Sequence, residues 1–308
     1  MDGKTFLRYL RESIGESSTS AFLNNRTSYE YGWEAACELV RRTRALRSTQ
    51  SITTVASQQG YVLNADFLSL DLRNRDGEFL LKYNDGTDDT WVSFVDYDTL
   101  IYANQTDAVT VPSRFSVIDK PTLYSQITGT ATSAGTVSAG LSTLTDTSGL
   151  FTTTDYVSAG DVVHNTTSGA YGYVLSVASA TAIETAIFND STGAAAGWAQ
   201  NDNYVIQPQG RLQIMFDPPP STSGHTATVY YIQRPAPVFH DYGVYRFLRQ
   251  YTNAIVEYAA AKCKLADREE NYWNDFMKEW ARKLSESAAG VNSAYGRKGF
   301  TMSMRGNK

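Results

Sequence analysis

From Pro121 to Gly210 the chain runs for ninety residues without a lysine or an arginine, although it carries 27 of them elsewhere. The stretch is rich in Thr, Ser, Ala and Gly and holds six acids, Asp146, Asp155, Asp161, Glu184, Asp190 and Asp202. Its formal charge is −6, whereas the other 26 of the 32 acids stand against all 27 bases, so the remainder is nearly neutral at +1. A composition break of this size marks a domain boundary. Inside it, Gly160-Asp161-Val162-Val163, Tyr171 to Leu175, Ala182 to Phe188 and Asn203 to Ile206 are short apolar runs between Gly, Asn and Ser turns, the pattern of strands. We therefore expect an acidic all-β module at residues 129–208, inserted into a second domain made of residues 1–128 and 209–290.

The flanks follow other periods. Phe6, Leu7 and Leu10 form a short amphipathic segment that stops near Gly15. Thr27 and Glu30 have capping-box spacing, which predicts a helix start there. Behind them Tyr29, Trp33, Ala36, Cys37 and Val40 share one face. Arg41, Arg42, Arg44 and Arg47 crowd the end of this helix. Cations suit the negative end of the helix dipole, so the cluster is either a solvated helix end or a contact for an acidic neighbour or nucleic acid. From Ser51 the period is two, through Ile52, Val55, Tyr61 to Leu63 and Phe67 to Leu72, and predicts strands. Arg75-Asp76-Gly77 and Asn84-Asp85-Gly86 supply hairpin turns. A short helix is expected near Phe94 to Ile101, and further strands at Phe115 to Ile118, Leu123 to Ile127, Leu212 to Phe216 and Val229 to Ile232.

All eight prolines lie between Pro112 and Pro237, leaving both chain ends free of helix breakers. Tyr245 to Cys263 and Asp267 to Leu284 read as two helices that pack on the Trp33 helix. The expected helical core is Trp33, Cys37, Val40, Ile255, Tyr258, Trp273, Phe276 and Trp280. The fold class expected from these patterns is α+β: a helical bundle of N- and C-terminal helices packed with a small antiparallel β domain, plus the inserted all-β module. Residues 291–308 read as a flexible basic arm that orders itself on a partner, with Tyr295, Arg297, Lys298, Phe300, Arg305 and Lys308 as its contact residues.

Composition excludes several classes. With 42% hydrophobic and 12% aromatic residues the chain can bury one or two ordinary cores, and its 20 tyrosines suit protein interfaces. No apolar run reaches membrane-span length, and Met1 to Ser20 lacks a signal peptide's apolar stretch, so no membrane association and synthesis in the cytoplasm are expected. Cys37 and Cys263 fall on helical faces and read as buried hydrophobes. Phosphate-loop, zincin and nucleophile-elbow motifs are missing, and His164, His225 and His240 have no metal-ligand spacing. No catalytic residue, metal or cofactor is expected. Asp155, Asp161 and Asp202 read as turn formers and not as calcium ligands, since nothing like an EF-hand loop is present. Trp198 reads as core; were it and Tyr171 exposed, they would suit stacking on a sugar.

Several strings, in this order, resemble head-to-tail connector (adaptor) proteins of tailed bacteriophages. They are the N-terminal helix with Trp33, TTVASQQGYVLNADF (Thr53 to Phe67), KPTLYSQI (Lys120 to Ile127), GRLQIMFDPPP (Gly210 to Pro220) and VYYIQRPAPV (Val229 to Val238). In such proteins the P-x-x-Y strand runs almost directly into the G-R-L-x-I strand. Here about eighty residues intervene, resembling small β modules of phage structural proteins through GDVVHN (Gly160 to Asn165) and NDNYVI (Asn201 to Ile206). The resemblance implies a structural virion protein at the neck, a ring commonly of twelve copies between the portal protein and the next tail protein, whether nozzle, stopper or tail tube. Double-stranded DNA would pass through without specific binding, the basic arm would dock on the portal or on a neighbouring subunit, and the module would project outward. The alternative is a tail accessory protein that binds host carbohydrate through the module.

Overall fold

The computed structural model describes residues 1–16, 24–72, 77–102, 107–119, 125–152, 157–208, 211–247, 249–266, 274–275 and 277–285. Its architecture corrects the expected fold class. The chain is mostly β, with two large curled, barrel-like sheets and 26% helix, and it is not a helical bundle carrying a small β domain. The helices form one layer against these sheets. Helical periodicity was visible locally at both chain ends, whereas sheet size depends on pairings between distant strands, which no local pattern reports.

The first sheet comprises β1 (Arg47–Thr53), β2 (Gly60–Val62), β3 (Phe67–Leu70), β4 (Leu80–Asn84), β5 (Asp89–Phe94), β6 (Arg114–Asp119), β14 (Leu212–Asp217) and β15 (Thr226–Gln233). Its order is β1-β15-β4-β5-β6-β14-β2, with β3 also on β15. Alternate side chains point into one core of Leu81, Tyr83, Val92, Phe115, Ile214, Phe216, Val229 and Tyr231. The two ends of the sheet are joined by a side chain. Gln50 of β1 donates through Nε2 to the Val62 carbonyl of β2 (3.0 Å), and its Oε1 accepts from the Asn64 N–H (2.8 Å). The β4–β5 hairpin turns at Asn84-Asp85-Gly86, where Asp85 accepts from the Thr87 and Asp88 N–H groups and Gly86 has φ 94°. A short helix, α3 (Tyr97–Tyr102), follows β5 and leads to β6, which pairs with β5 in parallel.

The second sheet comprises β7 (Ile127–Thr130), β8 (Ser142–Thr145), β9 (Val162–Asn165), β10 (Tyr171–Ser179), β11 (Ala182–Phe188), β12 (Ala195–Ala196) and β13 (Asn203–Gln207). Its order is β12-β11-β10-β9-β13-β7, with β8 also on β11. Thr132, just past β7, donates its N–H to Thr145 at the end of β8 (2.7 Å), which links the far ends of the sheet. Leu144, Phe151, Val163, Val174, Ile183, Trp198, Tyr204 and Ile206 fill this core. The whole module springs from a hairpin of the first barrel, because Asp119 of β6 lies directly opposite Leu212 of β14. Ile127, expected at the end of a body strand, opens β7 in the module sheet. Lys120 to Tyr124 lie outside the described residues.

The helices are α1 (Gly3–Ile14), α2 (Asn25–Thr43) and α4 (Arg249–Ala266), with residues 277–285 also helical. α1 is capped by Asp2, which accepts from the Thr5 N–H (2.7 Å), and ends at left-handed Gly15. α2 starts earlier than expected. Asn24 is its cap, accepting from the Thr27 N–H at 2.8 Å, and no Thr27–Glu30 box forms. Its buried face is Tyr29, Gly32, Ala35, Ala36, Leu39 and Val40. Gly32 allows a close approach, since a Cβ there would come within 2.3 Å of the Tyr245 hydroxyl and 2.6 Å of the Phe6 ring.

The module does not stand away from the body. Ala186 and Phe188 of β11 share one hydrophobic core with Phe6, Leu10, Tyr29, Leu39, Phe239 and Ile255 of the helical layer and its neighbouring segment, and Tyr173 and Leu175 of β10 pack on it.

Candidate functional site

The expected helical core assembles in part. Val40, Ile255, Tyr258 and Trp280 are buried in one cluster, with Trp33 packed against it partly buried and Cys37 half-buried. Trp280 meets Tyr258 edge-on at 5.3 Å and lies under the Arg42 guanidinium at 4.7 Å. Trp273 and Phe276 lie outside the described residues, as do all the arm residues, Tyr295, Arg297, Lys298, Phe300, Arg305 and Lys308.

The basic cluster at the end of α2 is engaged within the chain. Arg41 and Arg42 both reach Glu38, at 3.0 and 2.6 Å. Arg44, in the left-handed region at φ 54°, donates to the Leu70 and Asp71 carbonyls and pairs with the Asp71 carboxylate at 3.3 Å, and Arg47 meets the same carboxylate at 3.0 Å. These contacts tie α2 to the strand segment ending at Asp71. They leave the cluster less available to an acidic partner than a free run of arginines would be.

The module's acids also serve the fold. Asp146 is buried and accepts from the Tyr204 hydroxyl (2.8 Å), Asp202 accepts from Asn165 Nδ2 (2.6 Å), and Asp161 accepts from the Ser158 N–H (2.8 Å) and faces Arg211 at 3.7 Å. Among the described residues no three His, Cys, Asp or Glu side chains gather in a way that would hold a metal ion. Asp155 lies outside the described residues.

The histidines are dispersed. His225 Nδ1 contacts the Tyr83 hydroxyl (3.1 Å), His164 stacks on Tyr171 (5.5 Å), and burial lowers the pKa of His240. Desolvation raises the thiols from an ordinary 9.0 to about 11 for Cys37 and about 12 for Cys263. Both are held as protonated thiols at neutral pH, the form without nucleophilic reactivity. Burial, reinforced by the Asp241 carboxylate, pushes Tyr29 far above the usual phenol range.

What the molecule offers to a partner is surface. Trp91 on β5 is 52% exposed and lies 6.5 Å from the Tyr230 ring of β15 on the outer wall of the first barrel. Tyr242 and Val244 are 69% and 52% exposed, in a segment bonded to the start of α1 through Gly3 N–H to the Gly243 carbonyl (2.8 Å). Motif reading passed over both patches. The available signal was strand alternation, since Val92 points inward and so Trp91 must point out. No described helix is long and apolar enough to cross a membrane. No protein-family model matches the chain, and no curated protein matches it either.

Proposed function

We propose that the protein is a structural virion component, a head-to-tail adaptor that assembles as a ring between the capsid portal and the next tail protein and surrounds the DNA passage. The observation that carries this reading is the exposure of large apolar side chains on two different parts of the body, Trp91 on the barrel wall, beside the half-buried Tyr230, and Tyr242 with Val244 beside α1. A ring closes through heterologous contacts, in which one face of each subunit meets a different face of the next. Aromatic residues are enriched at such contacts.

Two further features support it. The strings that carry the resemblance fall largely in one sheet: Thr53 to Phe67 spans β2 and its flanks, Gly210 to Pro220 contains β14, and Val229 to Val238 contains the end of β15, with β2 paired to β14. The chain is also unsuited to gripping phosphates, with a net charge of −5 and its arginine cluster paired to acids. Carbohydrate binding by the module is less well supported. Trp198 is 3% exposed and donates to Thr185 within the core, and Tyr171 lies against Arg26 at 4.0 Å and His164.

Electron microscopy of the full-length protein, alone and mixed with purified portal, tests the proposal. Rings with a central opening, stacked end-on to portal particles, are expected. A monomer under both conditions that binds glycans on an array would overturn it.

A further inference from the structure

The module leaves the first barrel and returns to it at adjacent points of one hairpin, yet it buries its outer face elsewhere, on the helical layer. Tyr173 of β10 sits at the centre of that contact. Its ring stacks on Phe239 at 4.2 Å and 15°, meets Trp33 edge-on at 5.8 Å, and its hydroxyl donates to Glu30 at 3.0 Å. Phe239 in turn meets both Trp33 (5.9 Å) and Tyr29 (6.4 Å) edge-on. Arg26, one turn before Glu30, pairs with it at 3.7 Å and covers the Tyr171 ring at 4.0 Å. At the module's root a second attachment is buried: Arg211, 5% exposed at its side chain, reaches Asp161 at 3.7 Å and also bonds the Ser158 hydroxyl.

Trp33 of α2 also donates to the Pro235 carbonyl at 3.0 Å, across 202 residues of chain. The same side chain of the module therefore touches both α2 and the segment that follows β15. Trp33 stays partly buried even with Tyr173 against it.

We propose that the inserted barrel is a brace, which clamps α2 to the segment around Phe239, so that the β10–β11 face and the helical layer open together as one cooperative unit. The module is then held in a fixed orientation by two attachments and does not swing on its hairpin.

Hydrogen exchange by mass spectrometry on the full-length protein tests this. In the wild type, amides of β10–β11 and of α2 should open with the same dependence on urea. In Tyr173→Ala, protection should fall at least about tenfold, the equivalent of 1.4 kcal/mol, in β10–β11, α2 and the Phe239 segment together, while β4, β5, β6 and β14 keep wild-type rates. Tyr173→Leu retains apolar bulk without the stacked ring, and should give a smaller parallel rise in the same three places if the alanine variant does not fold. Faster exchange confined to the module in either variant, or a module that opens at lower urea than α2 in the wild type, would overturn the brace.

Discussion

Asp217 has no solvent exposure, and its carboxylate accepts from Arg114 Nε at 2.7 Å across the β6–β14 pair. A buried charge left without its partner is costly, because neither water nor a counter-charge then stabilises it. Asp217→Ala removes the buried half of this pair while the Arg114 side chain, 22% exposed, keeps access to water, and it should lower stability by about 1 to 3 kcal/mol in a urea titration. The thiols make a second case. Cys37 and Cys263 should resist alkylation at pH 8 in the native protein and react once it is denatured. Their folded values, about 11 and about 12, lie above the ordinary 9.0, so the stability they contribute is fully present below pH 9 and is lost as pH rises towards the folded values. An alkaline denaturation series should show stability falling from about pH 9 upward. Helical periodicity was enough to place both cysteines on inward-leaning faces. Nothing local pointed to the pairing of Arg114 with Asp217, which lie 103 residues apart.

The start of α2 shows how an element can be legible while its boundary is not. Thr27 and Glu30 have the right spacing for a capping box, but Glu30 is drawn instead to Arg26 and to the Tyr173 hydroxyl on another barrel. Asn24 takes the cap, its side chain accepting from the Thr27 N–H. Asn24→Ala should therefore cost about 1 kcal/mol of unfolding free energy, whereas Thr27→Ala, inside the helix, should cost nothing and instead stabilise by about a few tenths of a kcal/mol, the propensity advantage of alanine. The Asn84-Asp85-Gly86 hairpin, by contrast, was readable from three residues, since a positive φ at Gly86 and Asp85 acting as acceptor for its own turn are local requirements. β1 begins at Arg47, before the alternation becomes apolar at Ile52, because its first residues pair with β15 through backbone while their side chains are exposed or half-buried. Hydrophobic pattern does not register such a strand.

At the scale of the whole molecule, the exposed patches carry the test of assembly. Trp91→Glu and Tyr242→Glu replace side chains that are more than half exposed, so each should change stability by no more than about 0.5 kcal/mol. Each should nevertheless prevent ring formation in electron micrographs, because a carboxylate desolvated at an interface without a partner opposes association. Rings unchanged in both variants would remove these patches from the subunit contact. The expected helical bundle gave way to two barrels at this same scale. What the sequence determined by itself is local: the periods that make α1, α2 and α4 helices, the turn at Gly86, and a ninety-residue stretch without lysine or arginine. The tertiary structure alone decided that Gln50 joins β1 to β2, that Thr132 meets Thr145, and that Tyr173 docks the module on Glu30 and Phe239. The physical reason is that barrel closure and docking are set by contacts between residues distant in the chain, whereas periodicity and turn chemistry report only on neighbours.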